Sequence, residues 1–270
     1  MSTGPRIGFI GGGKMGEGII HGLIERGRVV PGHIVVCEQI ATRRAELSDR
    51  YGVTVSSDYG PALHTDAVVL AVKPQEFIAA ADMRGELRGD PLLISIMAGV
   101  PLAGILEALP ATRVVRVMPN LGATVGESFS TWYPSPAVTA DDKQLVRMLL
   151  SAIGREQEAP AEAYLDMATA VAGSGPGYVM LLVEALIDGA VHIGLPRALA
   201  TDMVLQTVAG TVRWAREHGG HPAELRAQVV SPAGTTAAGI LALERGGVRA
   251  ALIEATIAAY EKSQALGNSS

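Results

Sequence analysis

The segment Ser231-Pro-Ala-Gly-Thr-Thr236 gathers the groups best suited to hold a small anionic substrate. Two adjacent threonines leave a turn and run straight into Ala-Ala-Gly-Ile-Leu-Ala-Leu-Glu-Arg, so hydroxyls and unpaired backbone N–H groups collect at a helix N-terminus. Those amides and the positive end of the helix dipole suit a carboxylate or phosphate. An ordinary helix cap uses the same residue types, so the segment draws its meaning from the motifs around it.

The second chemical motif lies near the start. The apolar run Arg6-Ile-Gly-Phe-Ile10 leads into Gly11-Gly-Gly-Lys-Met-Gly16, and a helical pattern follows at Ile19, Ile20, Leu23 and Ile24. This is G-x-G-x-x-G between a strand and a helix. Gly11 permits the tight turn, Gly13 lets the backbone approach a pyrophosphate, and Gly16 lets the helix pack close to the strand. A second strand, Ile34 to Cys37, completes a βαβ unit and predicts dinucleotide binding. Glu38 ends that strand, where a carboxylate accepts hydrogen bonds from ribose hydroxyls and repels a 2′-phosphate. Arg43 and Arg44 lie just beyond and are able to pair with such a phosphate. The choice between NADH and NADPH therefore stays open.

Further strands are expected at Val53 to Val55, Ala67 to Val72, Leu92 to Met97 and Arg113 to Met118. Strand ends of a doubly wound sheet line the ligand crevice, which places Ala71-Val-Lys-Pro74 and Pro119-Asn120 beside the cofactor. Asn120 serves equally well as a simple turn residue. Gly126 to Pro136 reads as another strand with its loop, and Asp141 to Ile153 as an amphipathic helix. Near Pro160 the pattern changes to apolar helices: Ala161 to Ala172, Pro176 to Ile193, Arg197 to Glu217, Thr236 to Arg245 and Val248 to Ala265. The expected fold is an α/β Rossmann domain at 1–160, with a doubly wound, mainly parallel sheet, and an all-α domain at 161–270. The helices carry more apolar surface than so small a domain hides, which predicts a homodimer. Gly173-Ser-Gly-Pro-Gly177 reads as an elbow between two helices or as part of a site. Glu184 and Asp188 share a helix face and suit structural hydrogen bonding better than catalysis.

Composition narrows the function classes. With 48% hydrophobic and 18% charged residues over 270 positions, the chain has ample length for a core. A net charge of −5 without charge blocks gives nucleic acid or an anionic membrane nothing to hold. The most apolar stretch, Tyr178 to Leu195, contains Glu184, Asp188 and His192, so no membrane span is expected, and an early strand leaves no room for a signal peptide. The expected location is the cytoplasm. Cys37 is the lone cysteine and reads as a buried strand residue; His218 and His221 flank Gly219-Gly220 and read as a solvated loop, so no metal site is predicted.

In their order, Ile10-Gly-Gly-Gly, Ala71-Val-Lys-Pro74, Arg116-Val-Met-Pro-Asn120, Ala172-Gly-Ser-Gly-Pro-Gly-Tyr178, Gly194-Leu-Pro196 and Val230-Ser-Pro-Ala-Gly-Thr-Thr236 resemble the pyrroline-5-carboxylate reductase family over nearly the whole chain. The resemblance implies a Rossmann domain, a helical domain interlocking with a partner subunit, dimers that sometimes form rings, and reduction of Δ1-pyrroline-5-carboxylate to L-proline by NADPH or NADH. It implies that Ile10, Gly11, Gly12, Gly13, Lys14 and Met15 border the pyrophosphate, that Ala71, Val72, Lys73 and Pro74 lie along ribose and nicotinamide, and that Ser231, Gly234, Thr235 and Thr236 form the substrate loop. There the Thr236 hydroxyl would hydrogen-bond the ring nitrogen as the catalytic contact. A protonated imine is already electrophilic, so hydroxyls and amides suffice once its carbon lies within about 3 to 3.5 Å of the hydride donor. Lys14, Leu121-Gly122 and Ala233 depart from the family pattern, the last being a mild change if its φ is negative.

Other classes fit part of the pattern. A β-hydroxyacid dehydrogenase usually needs a lysine base on the first interdomain helix, and no lysine lies between Lys143 and Lys262. A reductase of a related cyclic imine, or a nucleotide-binding dimer without turnover, would keep the same motifs.

Overall fold

The structure, a computed structural model, describes residues 4–77 and 83–267. Two compact units emerge, one of residues 1–173 with 259–270 and the other of 174–258.

The first unit begins with the βαβ pattern read from the sequence. Strand β1 (Ile7–Ile10) leads into α1 (Lys14–Glu25), β2 (Ile34–Cys37), α2 (Ala41–Tyr51) and β3 (Thr54–Ser56). Then come α3 (Gly60–Leu63), β4 (Ala67–Leu70), α4 (Pro74–Phe77), β5 (Leu92–Ser95), α5 (Leu102–Ala108) and β6 (Val114–Met118). After β7 (Ser128–Pro134), α6 (Ala140–Ser151) returns the chain to β8 (Gly154–Glu158), and α7 (Tyr164–Ala168) follows. Among the described residues the sheet runs β3-β2-β1-β4-β5-β6-β7-β8, every pair parallel except β6 with β7. The order reverses at β1, the topological switch where such sheets bind ligands.

Alternation along the central strands feeds two cores, one on each face. Ile7, Phe9, Ile34 and Val36 join Ile20, Leu23 and Leu150 in one, while Ile10, Val35, Cys37 and Leu70 join Leu63, Met83 and Ile105 in the other. Both faces are covered, which is why β1, β2 and β4 read as unbroken apolar runs. The β8 strand has no such run. Its sequence Gly-Arg-Glu-Gln-Glu is polar and only partly buried, so main-chain pairing with β7 and not apolar alternation makes it a strand, and the sequence reading passes over it.

The second unit is helical: α8 (Gly175–His192), α9 (Arg197–His218), α10 (Pro222–Gln228) and α11 (Thr235–Arg245), with the first part of α12 (Val248–Gly267). The sequence pattern gives no sign of α10, whose cap residue falls in the stretch that reads as a solvated loop. Its cap is His221, whose ring Nδ1 accepts from Ala223 N–H at 3.2 Å, a role that Ser or Asp usually fills. At Gly173–Gly177, which reads as an elbow or as part of a site, no sharp elbow forms: a π-helical turn spans Thr169–Gly173, and α8 starts at Gly175. A Cβ on Gly173 would lie 2.5 Å from Met118 Cε, so glycine lets that turn approach the end of β6. The helical run Tyr164–His192 is also long and apolar enough to cross a membrane by length and composition, contrary to expectation. It begins well before Tyr178, and this earlier part dilutes the charges of Glu184 and Asp188.

Thr139 and Asp142 close a capping box at the start of α6. Burial pushes the Asp142 carboxyl up, but bonds from Thr139 N–H (3.0 Å), Thr139 Oγ1 (2.8 Å) and Arg113 Nη1 (2.8 Å) outweigh it and hold the group below its ordinary value. A depressed folded pKa gives stability that is complete above the unfolded value of about 4 and lost as pH falls through the folded one. Asp142→Asn is therefore expected to cost about 1–3 kcal/mol near neutrality in urea unfolding. The gap to the wild type narrows below about pH 4; a gap constant down to pH 2 would contradict this origin.

Candidate functional site

Gly11 turns the chain out of β1 at φ +98°, a left-handed conformation that disfavours any side chain. A Cβ there would also meet the Ala71 carbonyl oxygen at 2.8 Å. Main-chain bonds knit the three neighbouring strand ends, with Gly11 N–H donating to Cys37 O and Ala71 N–H to Ile10 O, each at 2.8 Å. Ile10, Gly11, Ala71 and Val72 are thereby brought together as the sequence reading requires. Gly13, at the N-cap of α1, has no side-chain cap bond and nothing within 4 Å of the position its Cβ would take. An open, uncapped helix N-terminus beside a glycine turn fits a pyrophosphate. Lys14 is exposed at the first position of α1, and Met15 packs partly against the core. Lys73 pairs loosely with Glu76 at 3.8 Å, while Pro74 opens α4. Asn120 caps the 3-10 turn Leu121–Val125, its Oδ1 accepting from Gly122 N–H at 3.0 Å.

Glu38 stands at the carboxyl end of β2 as expected. Its Oε2 accepts from Gly12 N–H and its Oε1 from Ile40 N–H, both at 2.9 Å. The arginines beyond it are engaged with the protein. Arg43 donates from Nε to Gly12 O (2.8 Å), from Nη1 to Glu46 (2.9 Å) and from Nη2 to Glu17 (2.5 Å), while Arg44 Nη1 reaches the carbonyls of Glu38 and Gln39. Glu17 is a residue that sequence reasoning missed. Burial pushes its carboxyl up, yet bonds from Arg43 and Tyr51 with the charge of Arg50 hold it below the ordinary range. The G-x-G-x-x-G pattern contains Glu17's neighbour Gly16, but nothing in one sequence signals a partner on α2. Cys37 is buried as expected, and burial raises its thiol to about 11, which leaves it unreactive.

In the second unit, Ser231, Gly234, Thr235 and Thr236 do assemble at the start of α11. Gly234 is the N-cap, makes no side-chain cap bond and donates its N–H to Ser231 O at 3.1 Å. A Cβ on Gly234 would lie 2.3 Å from Ser231 Oγ, so a tight turn brings the serine hydroxyl against the cap. Thr235 and Thr236 are exposed. The first amides of an 11-residue helix are thus uncapped by any side chain, with three hydroxyls nearby, which distinguishes this end from a self-satisfied cap. Ala233 corrects one expectation: its φ is +55°, and among the described residues it is the one non-glycine with positive φ. The alanine is not a mild replacement for glycine here, because left-handed backbone costs about 1–2 kcal/mol for an L-residue. Among the described residues no cluster of His, Cys, Asp and Glu has the make-up of a metal site.

Comparison with known proteins bears on both halves. Residues 162–266 match the family model described as pyrroline-5-carboxylate reductase dimerisation, and residues 6–99 match one described as NADP oxidoreductase, coenzyme F420-dependent. Curated pyrroline-5-carboxylate reductases from Methanosarcina acetivorans and a Synechocystis species are 41% and 43% identical, each alignment covering 97% of this chain and 98% of the relative. A solved pyrroline-5-carboxylate reductase from Coxiella burnetii superposes with a TM-score of 0.90 at 33% identity, covering 97% of this chain and 98% of that one. The Plasmodium falciparum pyrroline carboxylate reductase with NADP bound gives a TM-score of 0.84 at 30% identity, covering 98% and 99%.

Ala233→Gly is expected to stabilise the protein by roughly 1 kcal/mol, the relief of left-handed strain less the added chain entropy of glycine. Urea unfolding at fixed protein concentration reads this directly. An unchanged or lower midpoint would show that the loop holds the alanine without strain.

Proposed function

The chain belongs to the pyrroline-5-carboxylate reductase family, and from that premise we propose how its residues divide the work of reducing Δ1-pyrroline-5-carboxylate to L-proline. The reaction is the last step of proline synthesis and uses NADPH or NADH. The bound nicotinamide supplies the hydride that adds to the imine carbon.

In this reading residues 1–160 hold the dinucleotide and 161–270 hold substrate and partner subunit. Ile10 to Met15 border the pyrophosphate, with Gly13 leaving the α1 amides open; Ala71 to Pro74 and Asn120 line the ribose and nicotinamide. Glu38 faces the adenosine ribose. At the start of α11, the open amides receive the substrate carboxylate through hydrogen bonds and the favourable end of the helix dipole. Ser231 sets the turn against Gly234. The Thr236 hydroxyl holds the ring nitrogen, which carries a proton in the reactive iminium and keeps it in the product amine. No strong acid is needed because the substrate brings that proton; the protein's task is orientation. The observation that carries the assignment is the uncapped α11 N-terminus with Ser231, Thr235 and Thr236 around it.

The chain self-associates through its helical half, in keeping with the matched dimerisation model. Exposed apolar residues support this reading: Met180, Leu181, Leu186, Met203, Val212 and Ile253 are all 50% exposed or more in the single chain. We assign the apolar run Tyr164–His192 to subunit contact rather than to lipid, with the enzyme in the cytoplasm. Assembly of dimers into a ring extends the same proposal. Sedimentation is expected to give an even multiple of the 28.0 kDa chain without detergent, and a stable monomer would contradict the interface.

Thr236→Val is expected to lower turnover about tenfold or more, the worth of a lost hydrogen bond to a charged group, with dinucleotide affinity nearly unchanged. Thr236→Ser keeps the hydroxyl and most of the activity. Steady-state kinetics with direct titration of the dinucleotide separates the two quantities, and equal loss of both would show that Thr236 serves the fold.

A further inference from the structure

The environment of Glu38 bears on which of the two nicotinamide cofactors this chain takes. Two bonds fix its carboxylate, from Gly12 N–H and Ile40 N–H at 2.9 Å each. A carboxylate accepts about four hydrogen bonds, so acceptor positions remain for neighbouring hydroxyls. A Cβ on Gly12 would come 2.5 Å from Leu47 Cδ1 and 3.3 Å from Glu38 Oε2, so glycine lets the turn lie close against α2 and the carboxylate. A 2′-hydroxyl donates to such a group. A 2′-phosphate offers no compensating donor and brings like charge against it.

The two arginines just beyond Glu38 are both bonded within the protein. All three donor nitrogens of Arg43 are used, on the Gly12 carbonyl, Glu46 and Glu17. Glu17 is itself anchored by Arg50 at 3.0 Å and by the Tyr51 hydroxyl at 2.8 Å, so the network ties α2 to α1. Releasing Arg43 toward a phosphate would leave a partly buried carboxylate without its strongest partner, a cost a phosphate contact must exceed. Arg44 holds the carbonyls of Glu38 and Gln39.

We propose that Glu38, with Arg43 held back by Glu17, makes this enzyme prefer NADH to NADPH. The inference rests on the reading of Gly11 to Met15 as the pyrophosphate cradle, and its test separates the two. Isothermal titration of the full-length protein with NADH and with NADPH, without substrate, reads the preference apart from turnover, and 2′,5′-ADP against ADP reads the adenosine end alone. The wild type is expected to bind NADH at least about tenfold more tightly, an amount equal to the loss of one modest charge interaction. Glu38→Ser is expected to reduce or reverse that ratio and to gain affinity for 2′,5′-ADP. Glu17→Gln, which removes the charge that holds Arg43 Nη2, is expected to improve NADPH binding while the ribose contact of Glu38 is kept.

Equal or tighter binding of NADPH by the wild type would overturn the proposal. So would a Glu38→Ser variant whose two affinities fall together, because a purely structural carboxylate moves both and leaves the ratio alone. Failure of wild type to bind either dinucleotide would overturn the underlying cradle as well.

Discussion

The close approach of Gly11 to Ala71 is the contact on which the dinucleotide half depends. The first turn and the end of β4 lie so near that a single Cβ would collide with the Ala71 carbonyl. Because glycine permits this, main-chain hydrogen bonds join the ends of β1, β2 and β4, and the Glu38 carboxylate adds a bond from Gly12 N–H. The turn then enters α1 with its amides open. A sheet that reverses direction at β1 has its crevice at this point, so topology and local stereochemistry choose the same place. The apolar alternation of β1 and β2 feeds a separate core on each face and anchors the strands from which the turn leaves.

In the helical half, the governing constraint is what the single chain leaves uncovered. Val183 is the buried residue of α8 and Ala200 that of α9, while α11 buries none. Self-association through the matched dimerisation region would cover these helices and add to their stability. The loop proposed to hold the substrate leads into α11. Ala233 keeps a left-handed backbone and Gly234 packs against the serine hydroxyl, so the start of α11 is shaped by strain and close packing in place of a conventional cap.

Much of this was readable from residues alone, for identifiable reasons. The βαβ unit shows itself because glycine spacing and apolar periodicity coincide, and the order of motifs from Ile10 to Thr236 carries the family. The β8 strand was hidden because its pairing lies in the main chain and its side chains are polar. The α10 helix was hidden because histidine caps it. The left-handed Ala233 does not meet the condition of negative φ under which the change from glycine is mild, since φ is imposed by the turn and not announced by alanine. Arg43 gave the least information: sequence offers it as a phosphate ligand, and only the packing of α2 on α1 reveals Glu17 as its partner. Long-range ion pairs have no local signature.

The central claim is chemical, that this fold reduces a cyclic imine by hydride transfer. Its most direct test is consumption of reduced nicotinamide by the purified protein with and without Δ1-pyrroline-5-carboxylate, with the product identified by chromatography. The account predicts oxidation that depends on the imine and yields L-proline in one-to-one proportion to the cofactor consumed. Dinucleotide that binds but is not oxidised in the presence of pyrroline-5-carboxylate would contradict it.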